Sequence, residues 1–179
     1  MTSRRSVTVL VAICSVCFLL GGCEATDPGA TRSAAADGLP FTSLVRGAAP
    51  GGTDPSPSLE VVWTPDELET LLGVIATGDR THLDDVDLSR EVLLAVALGV
   101  RPTSGYSISV RTVEVASGTL DVVVRRQAPA PGDNVRTGAE TPYEVVALSR
   151  DLTLDASRYR LKDDSGAIIT QGALTGPTA

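Results

Sequence analysis

The segment Val92-Leu93-Leu94-Ala95-Val96-Ala97-Leu98 is apolar at every position. Its length fits a strand buried on both faces, although a short buried helix has the same pattern. The residues after it are easier to read. Tyr106, Ile108 and Val110 alternate with Ser107, Ser109 and Arg111, and then the apolar phase moves to Val113 and Val115. Such a phase change predicts a β-bulge near Arg111-Thr112. Ser117-Gly118 is a turn, and Leu120, Val122 and Val124 form the returning strand of a hairpin. Pro129 to Gly138 reads as an irregular loop. Tyr143–Leu148 reads as a further strand. Tyr159–Leu161 and Ala167–Thr170 flank an Asp-Asp-Ser-Gly turn in a last hairpin.

One helix start stands out upstream. Thr64 is placed as N-cap, Pro65 as first helical residue and Glu67 as the partner of a capping box. Trp63 is placed to staple onto Leu68, and Leu68, Leu71, Leu72 and Ile75 follow helical spacing up to Gly78 as a stop. Leu59–Val62 and Phe41–Val45 read as short strands, with Ala48 to Pro57 as a flexible stretch between them. The expected class is α+β: a mostly antiparallel β-sheet with one N-terminal helix.

The first residues set a different kind of constraint. Arg4 and Arg5 precede the apolar run Val7–Leu20, and Leu20-Gly21-Gly22-Cys23 follows. A basic start, an apolar stretch and small residues at the cut describe a secretory signal. The run has 14 residues, short of the roughly 18–20 that span a bilayer. Leu20-Gly21-Gly22-Cys23 resembles a lipobox, so Cys23 is the expected site of acylation, palmitate included, on an extracytoplasmic protein held at the bacterial cell membrane. The expected parts are a signal peptide at 1–22, a lipidated cysteine with flexible tether at 23–38 and a folded domain at 39–174. The tether extends to about 50 Å at most and averages roughly 20 Å.

Removal of the signal takes Cys14 and Cys17 with it, and lipid on Cys23 leaves no thiol for a disulfide, a metal cluster or a nucleophile. It also shifts the formal net charge from −7 to −9. An acidic surface argues against nucleic-acid binding and against charge-driven adhesion to anionic lipid. His82 is the sole histidine, no Gly-x-Ser-x-Gly elbow is present, and aromatic residues make up only 3% of the chain, too few to line a sugar cleft. Asp85-Val86-Asp87-Leu88-Ser89 begins like a calcium loop, but Arg90 and Val96 stand where glycine and glutamate are required. The residues therefore imply no enzyme, no metal and no cofactor. Two tyrosines sit where loops meet sheet, in Pro102-Thr103-Ser104-Gly105-Tyr106 and Thr141-Pro142-Tyr143. Tyrosine supplies large contact area at small entropic cost.

Val86-Asp87-Leu88-Ser89, Val92–Gly99, Pro102–Tyr106, Pro129-Ala130-Pro131-Gly132 and Thr141–Val146 occur in an order that resembles the C-terminal domain of the protease complex subunit PrcB family, across about residues 59–150. That family is named for a non-catalytic lipoprotein subunit of a bacterial surface protease complex. The resemblance implies a membrane-anchored protein-binding or protease-accessory module, with a secreted or surface peptidase as partner. It implies contact or loop-shaping roles for Pro102, Gly105, Tyr106, Pro142 and Tyr143. A second likeness leads to an alternative. Pro102-Thr103-Ser104-Gly105-Tyr106 is similar to a loop of chagasin-like peptidase inhibitors, and Thr141-Pro142-Tyr143 approximates another, while their Gly-x-Gly-Gly loop is absent. A hydrolase is the remaining reading.

Overall fold

The computed structural model describes residues 31–33 and 38–176. Cys23 and the signal segment lie outside these residues. The elements run β1 (Thr31–Ser33), β2 (Phe41–Pro50), β3 (Ser58–Val62), α1 (Pro65–Val74), a 3₁₀ turn (Thr77–Leu83), β4 (Glu91–Ala97), β5 (Arg101–Thr103), β6 (Ser107–Ala116), β7 (Thr119–Gln127), β8 (Thr137–Ser149), a short 3₁₀ turn (Arg150–Leu152), β9 (Arg158–Asp163) and β10 (Ile168–Ala173). One sheet has the order β1-β2-β8-β4-β3, with β5 also paired to β8. The second has the order β10-β9-β7-β6. Every pairing is antiparallel except β7 with β9. The class is thus the expected mostly antiparallel sheet with little helix. The helix is not N-terminal to the sheet, because β2 and β3 precede it and belong to the same sheet as β4 and β8.

The packing of β4 shows why Val92–Leu98 is apolar throughout. Val92, Leu94, Val96 and the following Leu98 face a core between the two sheets, together with Phe41, Ile108, Val122, Val146 and Leu161. Leu93 and Ala95 face the opposite way, into a second core with Val62, Leu71, Ile75, Leu83, Val145 and Ala147. The first sheet is therefore a middle layer, with the second sheet on one face and α1 with its 3₁₀ turn on the other. On a strand with no solvated face a polar side chain must bring its own buried partners, and β4 from Val92 onward has none to place.

The helix begins as its sequence predicts. The Glu67 backbone N–H donates to Thr64 Oγ1 at 3.3 Å, and Glu67 Oε2 accepts from the Thr64 N–H at 2.9 Å and the Trp63 N–H at 2.7 Å. Leu68, Leu71, Leu72 and Ile75 all pack into the helix-side core. Trp63 does not staple onto Leu68. It enters the inter-sheet core, 4% exposed, with the Arg150 guanidinium 5.5 Å from its ring centre. The helix stops at Val74, ahead of Gly78, because Ile75 turns extended and is buried. The bulge expected at Arg111-Thr112 is present as a register shift between Val110 and Thr112.

Two segments are more ordered than their composition suggests. β2 runs to Pro50, pairing Ala48, Ala49 and Pro50 with Pro142, Thr141 and Glu140. Its Gly and Pro content reads as a flexible stretch, yet in this part β2 has no neighbour on its other side among the described residues, and an edge position tolerates the missing N–H of proline. Thr31–Ser33, within the stretch expected as tether, pairs with Phe41–Ser43.

Candidate functional site

β8 organises the molecule. Its alternate residues Tyr143, Val145 and Ala147 face the helix-side core, while Glu144, Val146 and Leu148 face the second sheet. Glu144 is 0% exposed and has its oxygens fully engaged. Oε1 accepts from Ser43 Oγ at 2.6 Å and from an Arg46 guanidinium nitrogen at 2.5 Å, and Oε2 accepts from the Val110 backbone N–H at 2.5 Å. Val110 stands at the β6 bulge, on the strand that ends the second sheet. A buried carboxylate thus satisfies an edge N–H that has no further strand beside it among the described residues, and it ties the two sheets together. The N–H of Leu39 makes a parallel link by donating to Val113 O at 2.7 Å.

Tyr143 is 5% exposed. Its hydroxyl donates to Asp79 Oδ2 at 2.5 Å and accepts from the Ala76 N–H at 3.0 Å. Burial, aided by the Asp79 hydrogen bond, pushes its phenol up to about 12. Pro142 is buried as well, and its carbonyl accepts from Leu98 N–H at 2.8 Å. These two residues of the expected binding set are buried, and Tyr143 also lines the cavity beside α1. Tyr106 is half-buried against the inter-sheet core, whereas Tyr143 lies on the other face of the first sheet. The structure therefore does not bring the two tyrosines together. An inhibitor loop that inserts Tyr106 into a cleft would first have to withdraw it from this core.

Pro102 and Gly105 are exposed and belong to a built surface. The loop 101–106 is locked to the segment 128–136. Ser104 N–H donates to Arg136 O at 3.0 Å, and Arg136 N–H donates to Ser104 Oγ at 2.9 Å. Gly105 has a φ of +92°, and a Cβ there would come within 3.0 Å of Pro129 and 3.3 Å of Val135. The loop 129–133 is itself closed by the Ala130 N–H donating to Asp133 Oδ2 at 2.7 Å. Two loops distant in sequence thus form one preorganised rim.

Other candidates resolve into local structure. His82 is exposed on the 3₁₀ turn. Asp87 Oδ1 accepts from Ser89 Oγ at 2.6 Å and Ser89 N–H at 3.0 Å, which closes a turn and holds its carboxyl below the usual range. Among the described residues, no group of three or more His, Cys, Asp or Glu stands where it could hold a metal ion, and no helix is long and apolar enough to cross a membrane. Arg126 pairs with Asp163 at 3.2 Å.

A cavity of about 460 Å³ opens between the end of α1 and the first sheet, bounded by the loop 50–58. Small side chains, Ala49, Ala95 and Ala97, form its floor beside Leu71, Ile75 and Val145. Nothing in the sequence marks it, because its small residues come from two strands, β2 and β4, that are distant in sequence. Its charged lining residues are Asp54 and Glu60. Burial, then the nearby Glu67 carboxylate, raise the Glu60 carboxyl above its ordinary value.

Residues 92–149, from β4 through β8, match the family model described as PrcB C-terminal. Over these residues the chain is similar to the PrcB C-terminal family. Searches of the curated proteins and of the solved structures returned no match. The matched segment contains both interlocked loops, most of β4 and all of β8, the bulged hairpin, and Glu144 with its Val110 contact. The strands outside it, β2 and β3, flank β8 and β4 and complete the first sheet.

Proposed function

We propose that this chain is a lipid-anchored, non-catalytic accessory module that docks an exported peptidase through the rim formed by residues 101–106 and 128–136. The observation that carries this reading is the mutual backbone lock between Ser104 and Arg136. It holds exposed Pro102, Gly105 and Pro131 in fixed positions before any partner arrives, and preorganisation lowers the entropic cost of association. The PrcB likeness supports a protease-related role, and Cys23 after its apolar leader supports attachment by lipid.

A photocrosslinking residue placed at Pro102 or Pro131 of the full-length chain, expressed in its own cell, tests the reading. The expected result is an adduct with an exported peptidase whose membrane recovery falls when the chain is deleted. The same crosslinker at exposed Ile168, on the other sheet, serves as the control and gives no such adduct. No peptidase adduct at either rim position, with unchanged peptidase recovery on deletion, overturns it. The anchoring part is checked separately: Cys23→Ala abolishes labelling by a palmitate analogue and moves the chain out of the membrane fraction.

A further inference from the structure

β3 ends the first sheet, and no strand lies beside its outer edge among the described residues. It pairs with β4 on its inner side from Ser58 to Val62, so alternate residues direct their backbone N–H and C=O groups away from β4. The same edge borders the cavity described above. Ser58 and Glu60 line that cavity, and Val62 lies in the helix-side core. Leu59 and Val61 face the other way, into the inter-sheet core, with Val61 only half-buried. The edge thus has two chemically different sides.

We propose that the free edge of β3 accepts an extended peptide as an added strand, with basic side chains directed into the cavity beside Glu60 and apolar side chains directed toward Val61. The occupant's chemistry follows from charge and alternation. The cavity lining contains acidic Asp54 and Glu60 and no Lys, Arg or His. Neither acid has an ion-pair partner among the described residues. Glu60 instead faces the like charge of Glu67, whose Oε2 is held by the helix cap. A lysine or arginine stem covers the apolar floor while its charged end meets the carboxylates at the rim. Side chains of an added strand alternate between the two faces, so every second residue reaches the cavity side. The site is separate from the rim of residues 101–106 and 128–136 and stands or falls without it.

The probe is a short fluorescent peptide alternating lysine and valine, titrated against the folded chain. Binding is expected to weaken about tenfold on Glu60→Gln, since one charge-assisted contact in a partly desolvated site has that effect. N-methylation of alternate peptide nitrogens is expected to abolish binding, because it removes the edge hydrogen bonds while keeping the charges. Gly73 lines the cavity, and a Cβ there meets nothing within 4 Å, so Gly73→Leu fills the space without disturbing the helix and is expected to block the peptide. A peptide with glutamate in place of lysine is expected not to bind. No binding up to about 1 mM overturns the proposal. So does binding that survives both N-methylation and Glu60→Gln, which marks unspecific adhesion. Binding lost in Glu60→Gln but indifferent to N-methylation overturns strand addition in favour of a site for free cations.

Discussion

Tyr143 carries the most consequence of any single side chain, because its hydroxyl joins β8 to the 3₁₀ turn through Asp79 and Ala76. Gly47 makes this possible. It lies opposite Tyr143 on β2, and a Cβ there would come within 2.2 Å of Asp79 Oδ2 and 3.0 Å of the tyrosine oxygen. Tyr143→Phe leaves a carboxylate and an N–H without their partner, so the expected loss is about 1–3 kcal/mol in urea unfolding. Gly47→Ala pushes into the same hydrogen bond and is expected to cost a similar amount, about 1–3 kcal/mol. The phenol also sets an alkaline limit. In the unfolded chain it ionises near 10, and in the folded chain at about 12. Folding therefore retains its full stability below pH 10 and loses it as pH rises toward 12. Wild type should lose urea stability between about pH 10 and about pH 12, and Tyr143→Phe should lose less. Sequence alone suggested that Tyr143 stood at a loop–sheet junction. Its neighbour Glu144 was the informative letter, a lone charge inside Pro142–Leu148, and a lone charge in a buried strand demands partners that adjacent residues cannot identify.

At the level of elements, the readable features were those decided within a few residues. The capping box, the apolar face of α1, the bulge near Arg111 and both hairpins depend on neighbours in sequence, and each stands where its pattern put it. The extent of β2 and the pairing of β1 depend on β8 and β2 across more distant chain, and composition there read as loop. The parallel pairing of β7 with β9 was equally invisible, since parallel register leaves no turn to announce it. The clasp between sheets combines both kinds of information: a local bulge exposes the Val110 N–H, and a remote strand supplies Glu144. Glu144→Ala strands that buried N–H and releases the half-exposed Arg46 to solvent, with an expected loss of about 1–3 kcal/mol. Glu144→Gln keeps an acceptor and should lose less. Thermal denaturation of the two variants checks the order. Thr64→Ala tests the local kind, with an expected cost near ~1 kcal/mol and no change in the inter-sheet contacts.

The whole molecule is acidic, and its second sheet concentrates the charge pairs that respond to acid. Asp121 on β7 is 8% exposed and receives Arg160 through two nitrogens, at 2.6 and 2.7 Å, and Lys162 at 2.8 Å, all from β9. Glu114 stands opposite it on β6, exposed and outside this cluster. Burial alone would raise the Asp121 carboxyl, but the Arg160 and Lys162 contacts outweigh it and hold the group below its ordinary value of 3.8. A depressed carboxyl contributes stability that is present above 3.8 and lost as pH falls through the folded value. Asp163 is lowered too, through the Ser165 hydroxyl bond first, in the turn that joins β9 to β10. Acid therefore acts on β9, which its parallel pairing and these ion pairs join to β7. Urea midpoints measured at about pH 7 and about pH 3 should fall for the wild type. Asp121→Asn should start lower at neutral pH, because two cations lose their carboxylate, and should then fall by less on acidification. An equal fall in both proteins would place the acid response elsewhere in the sheet.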